Sequence, residues 1–176
     1  MPPVQSAALP PDTPNVLLLV LDTVRADELG AYGYHRPTSV FIDRLAARGA
    51  RFAEAVATAP WTLPTHVSML TGQYPKDTTV SWTSGLDDTH RTLAQVLASQ
   101  GFRTGGFVAN LEYASSAVGL NRGFETFRDV GRGLPHVLAS SHAWQWVAWF
   151  YNKLHDRTFY LTRRTAADVN HDFLRW

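Results

Sequence analysis

The sequence predicts an α/β fold, a mixed and largely parallel sheet flanked by helices, and three observations carry that prediction. Val16 to Leu21 is an unbroken apolar, β-favouring run closed by Asp22, the pattern of a strand buried on both faces of a sheet. Two segments with helical apolar spacing follow it, and after them comes a second short strand-like run, "RTGGFVAN". Strand, helix, helix, strand at these short spacings argues for a parallel sheet, with sites gathered at the carboxyl ends of its strands.

Each element has its own signal. Residues 1 to 14 hold five prolines among Ser, Asp and Thr and read as a flexible leader, which ends where Asn15 meets the apolar run. "SVFIDRLAARGARF" sets Val40, Phe41, Leu45 and Ala46 at helical spacing and stops at Gly49, a favourable left-handed cap. Pro64 suits the first turn of a helix through "HVSMLTG" that is capped at Gly72. "DDTHRTLAQVLASQGF" offers Asp88 and Thr89 as N-caps, an apolar face of Leu93, Val96 and Leu97, and Gly101 as its stop. Beyond Asn110 the chain turns through "GLNRGFETF" and then gives two helices, the Trp-rich "HAWQWVAWFYNKL" and the terminal "RRTAADVNHDFLRW". The last carries an apolar face of Val169, Phe173, Leu174 and Trp176 whose natural partner is a sheet. No strand follows it, so residues 15–176 read as the front portion of a longer domain.

Composition narrows the function. With 45% hydrophobic and 18% charged residues the chain can bury a core, which excludes general disorder. The net charge of +1 is spread without a single-sign block, so neither a nucleic-acid stripe nor a polybasic membrane patch is present, and the expected partner is a small or local substrate. Cysteine is absent, which excludes disulfides and thiolate metal sites here without assigning a compartment. "VLLLVL" is far too short to span a bilayer and no signal peptide is visible, leaving the cytoplasm as the default compartment.

Two residues stand out as carriers of chemistry. A carboxylate that closes a wholly apolar strand is costly to bury unless a cation or donors meet it, so Asp22 is either a metal ligand or the cap of the turn "TVRADELG". Asp27 pairs more simply with Arg25. Thr62 lies at a helix N-terminus, where backbone N–H groups and the helix dipole favour an anionic ester and a bound divalent cation can activate the hydroxyl. His66, four residues on, then projects beside Thr62 and can donate to the ester or move a proton. The plainer reading is an N-cap Thr and a partly buried His. His90 reads as a solvated helix residue, Asn110 as a site-lining or turn residue, and Arg103, Arg122, Arg163 and Arg164 as surface charges. Trp144, Trp146 and Trp149, with Phe150 and Tyr151, read as packing or as an interface.

"NVLLLVLDTVRADELGAYGY", "IDRLAARGARFAEAVATAPWTLPTHVSMLTGQYP" and "TLAQVLASQGFRTGGFVAN", in that order over roughly residues 15 to 127, resemble the N-terminal half of the sulfatase family of the alkaline phosphatase superfamily. The resemblance implies an alkaline-phosphatase-like fold, present here as an incomplete, N-terminal portion of the catalytic domain. It sets Asp22 on the first metal-binding Asp and Thr62 on the nucleophile position of a Cys/Ser-x-Pro-x-Arg motif, where the nucleophile also contacts the metal. Calcium, magnesium or manganese would suit oxygen ligands, with zinc favoured by a downstream His. Three departures accompany the match. Thr23 stands where many members have a second metal Asp, His66 stands in place of the motif's Arg, and "FVANLEY" replaces a Gly-Lys-Trp-x-x-Gly segment with its catalytic Lys.

The Thr changes the expected chemistry. Oxidation of Cys or Ser yields the formylglycine aldehyde of true sulfatases, whereas oxidation of Thr would give a ketone. A Thr nucleophile is similar instead to the superfamily's phosphoethanolamine and phosphoglycerol transferases. The expected function is therefore a metal-dependent hydrolase or transferase of phosphate, phosphonate or sulfate esters, small-molecule, lipid or glycan. The family's remaining metal ligands would fall beyond Trp176, so the chain by itself is expected to be inactive. The rival expectation is a non-catalytic member or truncated product that keeps the fold.

Overall fold

A computed structural model describes residues 9–129 and 164–176, together with Trp146, Phe150 and Lys153. The chain divides into two compact units, Asp12–Ala57 and Met1–Pro11 with Thr58–Trp176.

In the first unit, two 3₁₀ turns, Ala26–Glu28 and Gly30–Tyr32, precede helix α1, Val40–Ala46. Ser39 and Asp43 hold them together. The Ser39 hydroxyl accepts from the Gly30 N–H at 2.8 Å and donates to Asp43 Oδ1 at 2.9 Å, and that oxygen also accepts from the Ala31 N–H at 2.7 Å. The helix forms where its apolar spacing predicts, with a looser turn carrying the chain on to Gly49. Its apolar residues are not buried, since Phe41 is 83% and Leu45 67% exposed.

Val16–Leu21, expected as a buried strand, is not a strand, and every one of its six side chains is exposed. An apolar run becomes a strand only when a neighbour takes up its N–H and C=O groups and other elements cover its faces. Among the described residues nothing supplies either.

The second unit holds the sheet. Strands β1, Gly105–Phe107, and β2, Thr126–Arg128, pair in parallel, with Gly105 opposite Thr126 and Phe107 opposite Arg128. The fold is thus α/β with a parallel sheet and helices beside it, as the sequence predicts. β1 lies within the predicted run, whereas β2 falls in a stretch expected to be turns, because three residues are too few to show a period. Helix α2, Thr62–Thr71, and helix α3, Leu93–Ser99, precede the sheet, and helix α4, Ala166–Leu174, follows it.

The α3 cap is Thr92, not Asp88 or Thr89. Its hydroxyl accepts from the Gln95 N–H while Gln95 Oε1 accepts from the Thr92 N–H, so both orphan donors find partners. α4 opens on the same device, Thr165 with Asp168. Part of its apolar face meets the sheet: Phe173 and Trp176 pack edge-on against Phe107, at 5.7 and 5.8 Å between ring centroids, whereas Leu174 is 79% exposed.

Arg122 and Arg164 are not surface charges. The Arg164 side chain is 4% exposed, pairs with Asp172 at 2.5 Å, and donates to the Arg128 carbonyl at 2.7 Å, tying α4 to the end of β2. The Arg122 side chain is 15% exposed and donates to the His90 carbonyl at 2.8 Å. Only the Arg103 side chain, at 70%, is a surface group as expected; Arg163 is outside the described residues. The Trp-rich segment lies mostly outside them too, and its described positions, Trp146, Phe150 and Lys153, are helical and exposed.

Candidate active site

The best-built candidate is the N-terminus of α2. Trp61, in extended backbone with φ −147° and ψ 163°, is the N-cap, and Thr62 is the first helical residue. Thr62 is therefore not the capping residue of the plainer reading. The Trp61 side chain makes no capping hydrogen bond, and Pro64, lacking an N–H, removes one donor that would need a partner. Thr65 fixes the entry of the chain, its hydroxyl lying 3.0 Å from the Ala59 carbonyl and 3.1 Å from that of Trp61. At the far end Gly72, with φ 69°, closes the helix by donating its N–H to the Ser68 carbonyl at 2.8 Å, the left-handed cap the sequence predicts.

A hydrophobic core holds this helix in place. Leu63 and Val67 on α2 cluster with Leu86, Ala114 and Leu120, and Val67 is fully buried. Its side chain contributes on the order of 1.5–3 kcal/mol by leaving water. The opposite side of the helix is left less covered, and Thr62 and His66 both sit there half-buried.

The structure brings Thr62 and His66 together on successive turns. His66 Nδ1 lies 2.9 Å from the Thr62 carbonyl oxygen. A carbonyl only accepts, so Nδ1 carries the proton and donates, and Nε2 is the nitrogen with the lone pair in the neutral ring.

Asp22 belongs to the other compact unit. It is half-buried, and the residue after it, Thr23, has φ 62°. A β-branched side chain in the left-handed region is a steric outlier that costs on the order of 1–3 kcal/mol. As a half-buried carboxylate Asp22 has the hard oxygen donors that calcium, magnesium and manganese prefer. Among the described residues no group of three or more His, Cys, Asp or Glu side chains is placed to hold an ion. Asp22 thus fits a divalent cation in kind.

The remaining candidates take local roles. Asp27 pairs with Arg25, whose guanidinium holds the exposed carboxyl below its ordinary range. His90 precedes α3 instead of lying on it, and its Nε2–H donates to the Asp77 carbonyl at 2.9 Å. Asn110 makes a turn, its Oδ1 accepting from the Tyr113 N–H at 3.2 Å.

Two features escaped the sequence reading. Asp129, buried directly after β2, accepts from the Ser116 N–H at 2.7 Å and from its hydroxyl at 2.5 Å; its signal is the one that marked Asp22, an acid closing a strand. Beside Thr62, Trp61 stacks on Trp82 with ring centroids 4.2 Å apart and planes within 8°, and meets Tyr113 edge-on at 6.0 Å. A hydrogen bond to Glu112, and that group's charge, hold the Tyr113 phenol above its usual range. Nothing in the sequence links Trp61 to Trp82, which are brought together only by folding. Among the described residues no helix is long and apolar enough to cross a membrane.

A family model described as Sulfatase matches residues 14–162. Arylsulfatase A of Bos taurus is 36% identical over 99 residues, 52% of this chain and 20% of that protein. Arylsulfatase H of Homo sapiens is 28% identical over 184 aligned positions, 93% of this chain and 33% of that protein. Steryl-sulfatase of Rattus norvegicus is 32% identical over 111, 56% of this chain and 19% of that protein. The chain thus spans a fifth to a third of the length of these curated relatives. No solved structure matches it. The match runs through Asp22, Thr62, His66 and both strands, and it makes the chain a member of the sulfatase family.

Proposed function

We propose that this protein is a metal-dependent hydrolase or transferase of charged esters, in which Thr62 is the nucleophile, His66 handles the proton and Asp22 helps to hold a divalent cation. Sulfate esters are the first candidates, because the relatives are named as arylsulfatases and a steryl-sulfatase; phosphate and phosphonate esters follow from the Thr. The observation that carries the reading is the pairing of Thr62 with His66 on the opening turns of α2, with Nδ1 committed to the Thr62 carbonyl.

The chemistry balances with these groups. The Thr62 Oγ attacks sulfur or phosphorus as its proton passes to His66 Nε2. The bond to the ester's alcohol oxygen breaks, and the imidazolium returns the proton to that oxygen. A water or acceptor alcohol then cleaves the Thr62 ester by the reverse transfer. The N-terminal end of α2 favours the anionic group through its dipole. A divalent cation held with the help of Asp22 would supply charge neutralisation and a lowered hydroxyl pKa.

Hydrolysis of 4-nitrophenyl sulfate and bis-4-nitrophenyl phosphate by the whole protein, loaded with magnesium, calcium or manganese, tests this. Thr62→Ala is expected to abolish turnover and Thr62→Ser to retain it. Full activity in Thr62→Ala would remove Thr62 from the mechanism.

A further inference from the structure

We infer that Met69 is an oxidant-sensitive modification site, one helical turn beyond His66 on the open side of α2, and that its conversion to the sulfoxide by a peroxide slows proton transfer at that imidazole. The effect on turnover rests on the reading of His66 as the proton carrier; the modification itself does not. Leu63, Pro64, Val67 and Ser68 turn one side of α2 into the interior. Thr62, His66 and Met69, spaced by four and then three residues, line the other. Exposure rises along that stripe, from the half-buried Thr62 and His66 to Met69 at 39%.

Helical side chains lean toward the N-terminus and cover the turn before their own. His66 follows this rule, since its Nδ1 reaches back to the Thr62 carbonyl. By the same lean the Met69 side chain covers the turn that carries His66, with Cβ atoms three residues apart separated by about 5–6 Å. A thioether there is a soft, apolar neighbour for the ring. The sequence has no cysteine, so no thiol competes for an oxidant, and its other methionine is the first residue. A partly exposed thioether is then the side chain that mild hydrogen peroxide attacks first. The sulfur takes one peroxide oxygen as the O–O bond breaks; sulfur is oxidised by two electrons and the peroxide is reduced to water. The product is polar and carries a strong acceptor oxygen. That oxygen can hold the Nε2–H once His66 has taken the Thr62 proton, so the proton returns to the leaving alcohol more slowly.

Treatment of the whole protein with hydrogen peroxide, followed by peptide mass spectrometry and by NMR of the histidine rings, tests this. Met69 is expected to gain one oxygen. The His66 ring signals, identified by their absence in His66→Asn, should shift on oxidation of the native protein but not of Met69→Leu, which keeps the volume and lacks the sulfur. Turnover of the 4-nitrophenyl esters should fall by roughly three- to tenfold on oxidation. Met69→Leu should escape that loss, Met69→Gln should show it without peroxide, and methionine sulfoxide reductase should reverse it. An unmodified Met69, His66 signals that stay in place, or an equal loss in Met69→Leu overturns the inference. If Met69 is oxidised and the ring signals move while turnover is absent or unchanged, the modification site stands and His66 loses its part in proton transfer.

Discussion

Replacing Arg164 by Ala probes the most deeply buried charge among the described ion pairs. The Arg164 side chain is 4% exposed and that of its partner Asp172 13%. Its guanidinium spans the Asp172 carboxylate at 2.5 Å, the Arg128 carbonyl at 2.7 Å and the Val108 carbonyl at 3.4 Å. The Ala variant leaves a carboxylate and a strand-end carbonyl without their donor, and breaking such a pair from one side costs about 3–5 kcal/mol. With a urea dependence of about 2 kcal/mol/M, the midpoint should fall by about 1.5–2.5 M. Arg103→Ala, which removes an exposed group, should move it by no more than about 0.3 M. Urea titration followed by far-UV circular dichroism reads both. Replacing the two partners together, Arg164→Met with Asp172→Leu, should recover most of the loss, since no charge is then left buried. Equal small shifts for Arg164→Ala and Arg103→Ala would refute the tie between α4 and the sheet.

Four further outcomes are expected. His66→Asn keeps a donor for the Thr62 carbonyl but removes Nε2, so kcat should fall by about 10²–10⁴ with the melting temperature unchanged; an active variant would exclude proton transfer by His66. Thr23→Asp places a residue more tolerant of the left-handed region beside Asp22 and adds a carboxylate, so calcium or magnesium should bind about tenfold more tightly by calorimetry; no change would argue against a cation at Asp22. Thr92→Val strands the Gln95 N–H and the Arg122 carbonyl and should cost about 1–3 kcal/mol in urea unfolding, where a loss under 0.5 kcal/mol would contradict the cap. Gly123 has φ 87°, and a Cβ there would sit 2.3 Å from the Gln95 nitrogen, so Gly123→Ala should lose about 2 kcal/mol or more, read as a lower melting temperature.

The helices were legible because their signals are local. Apolar spacing and the stops at Gly72 and Gly101 survive whatever the rest of the chain does. The Thr92-x-x-Gln95 spacing is itself a readable capping box, and it prevails over Asp88 and Thr89 because it satisfies two donors at once. Val16–Leu21 fails as a strand for the opposite reason, since pairing depends on a neighbour that a one-dimensional pattern cannot contain. Burial of Arg164 depends in the same way on carbonyls from two strands meeting one side chain. At the site, the spacing of Thr62 and His66 was enough to bring them together on one helix. The tautomer of His66 and the stack beside Thr62 needed coordinates, because each rests on an angle or a contact that residue types alone do not fix.

The Thr92 hydroxyl accepts from the Gln95 N–H and donates to the Arg122 carbonyl at 2.8 Å, across 30 residues of sequence. The first turn of α3 and the approach to β2 are thus joined through one buried oxygen atom. Neither can open while the other stays closed without breaking a bond in a dry environment. Amide hydrogens at the start of α3 should therefore exchange with solvent at the same rate as those of the β1–β2 ladder, which makes helix and sheet one unit of local unfolding.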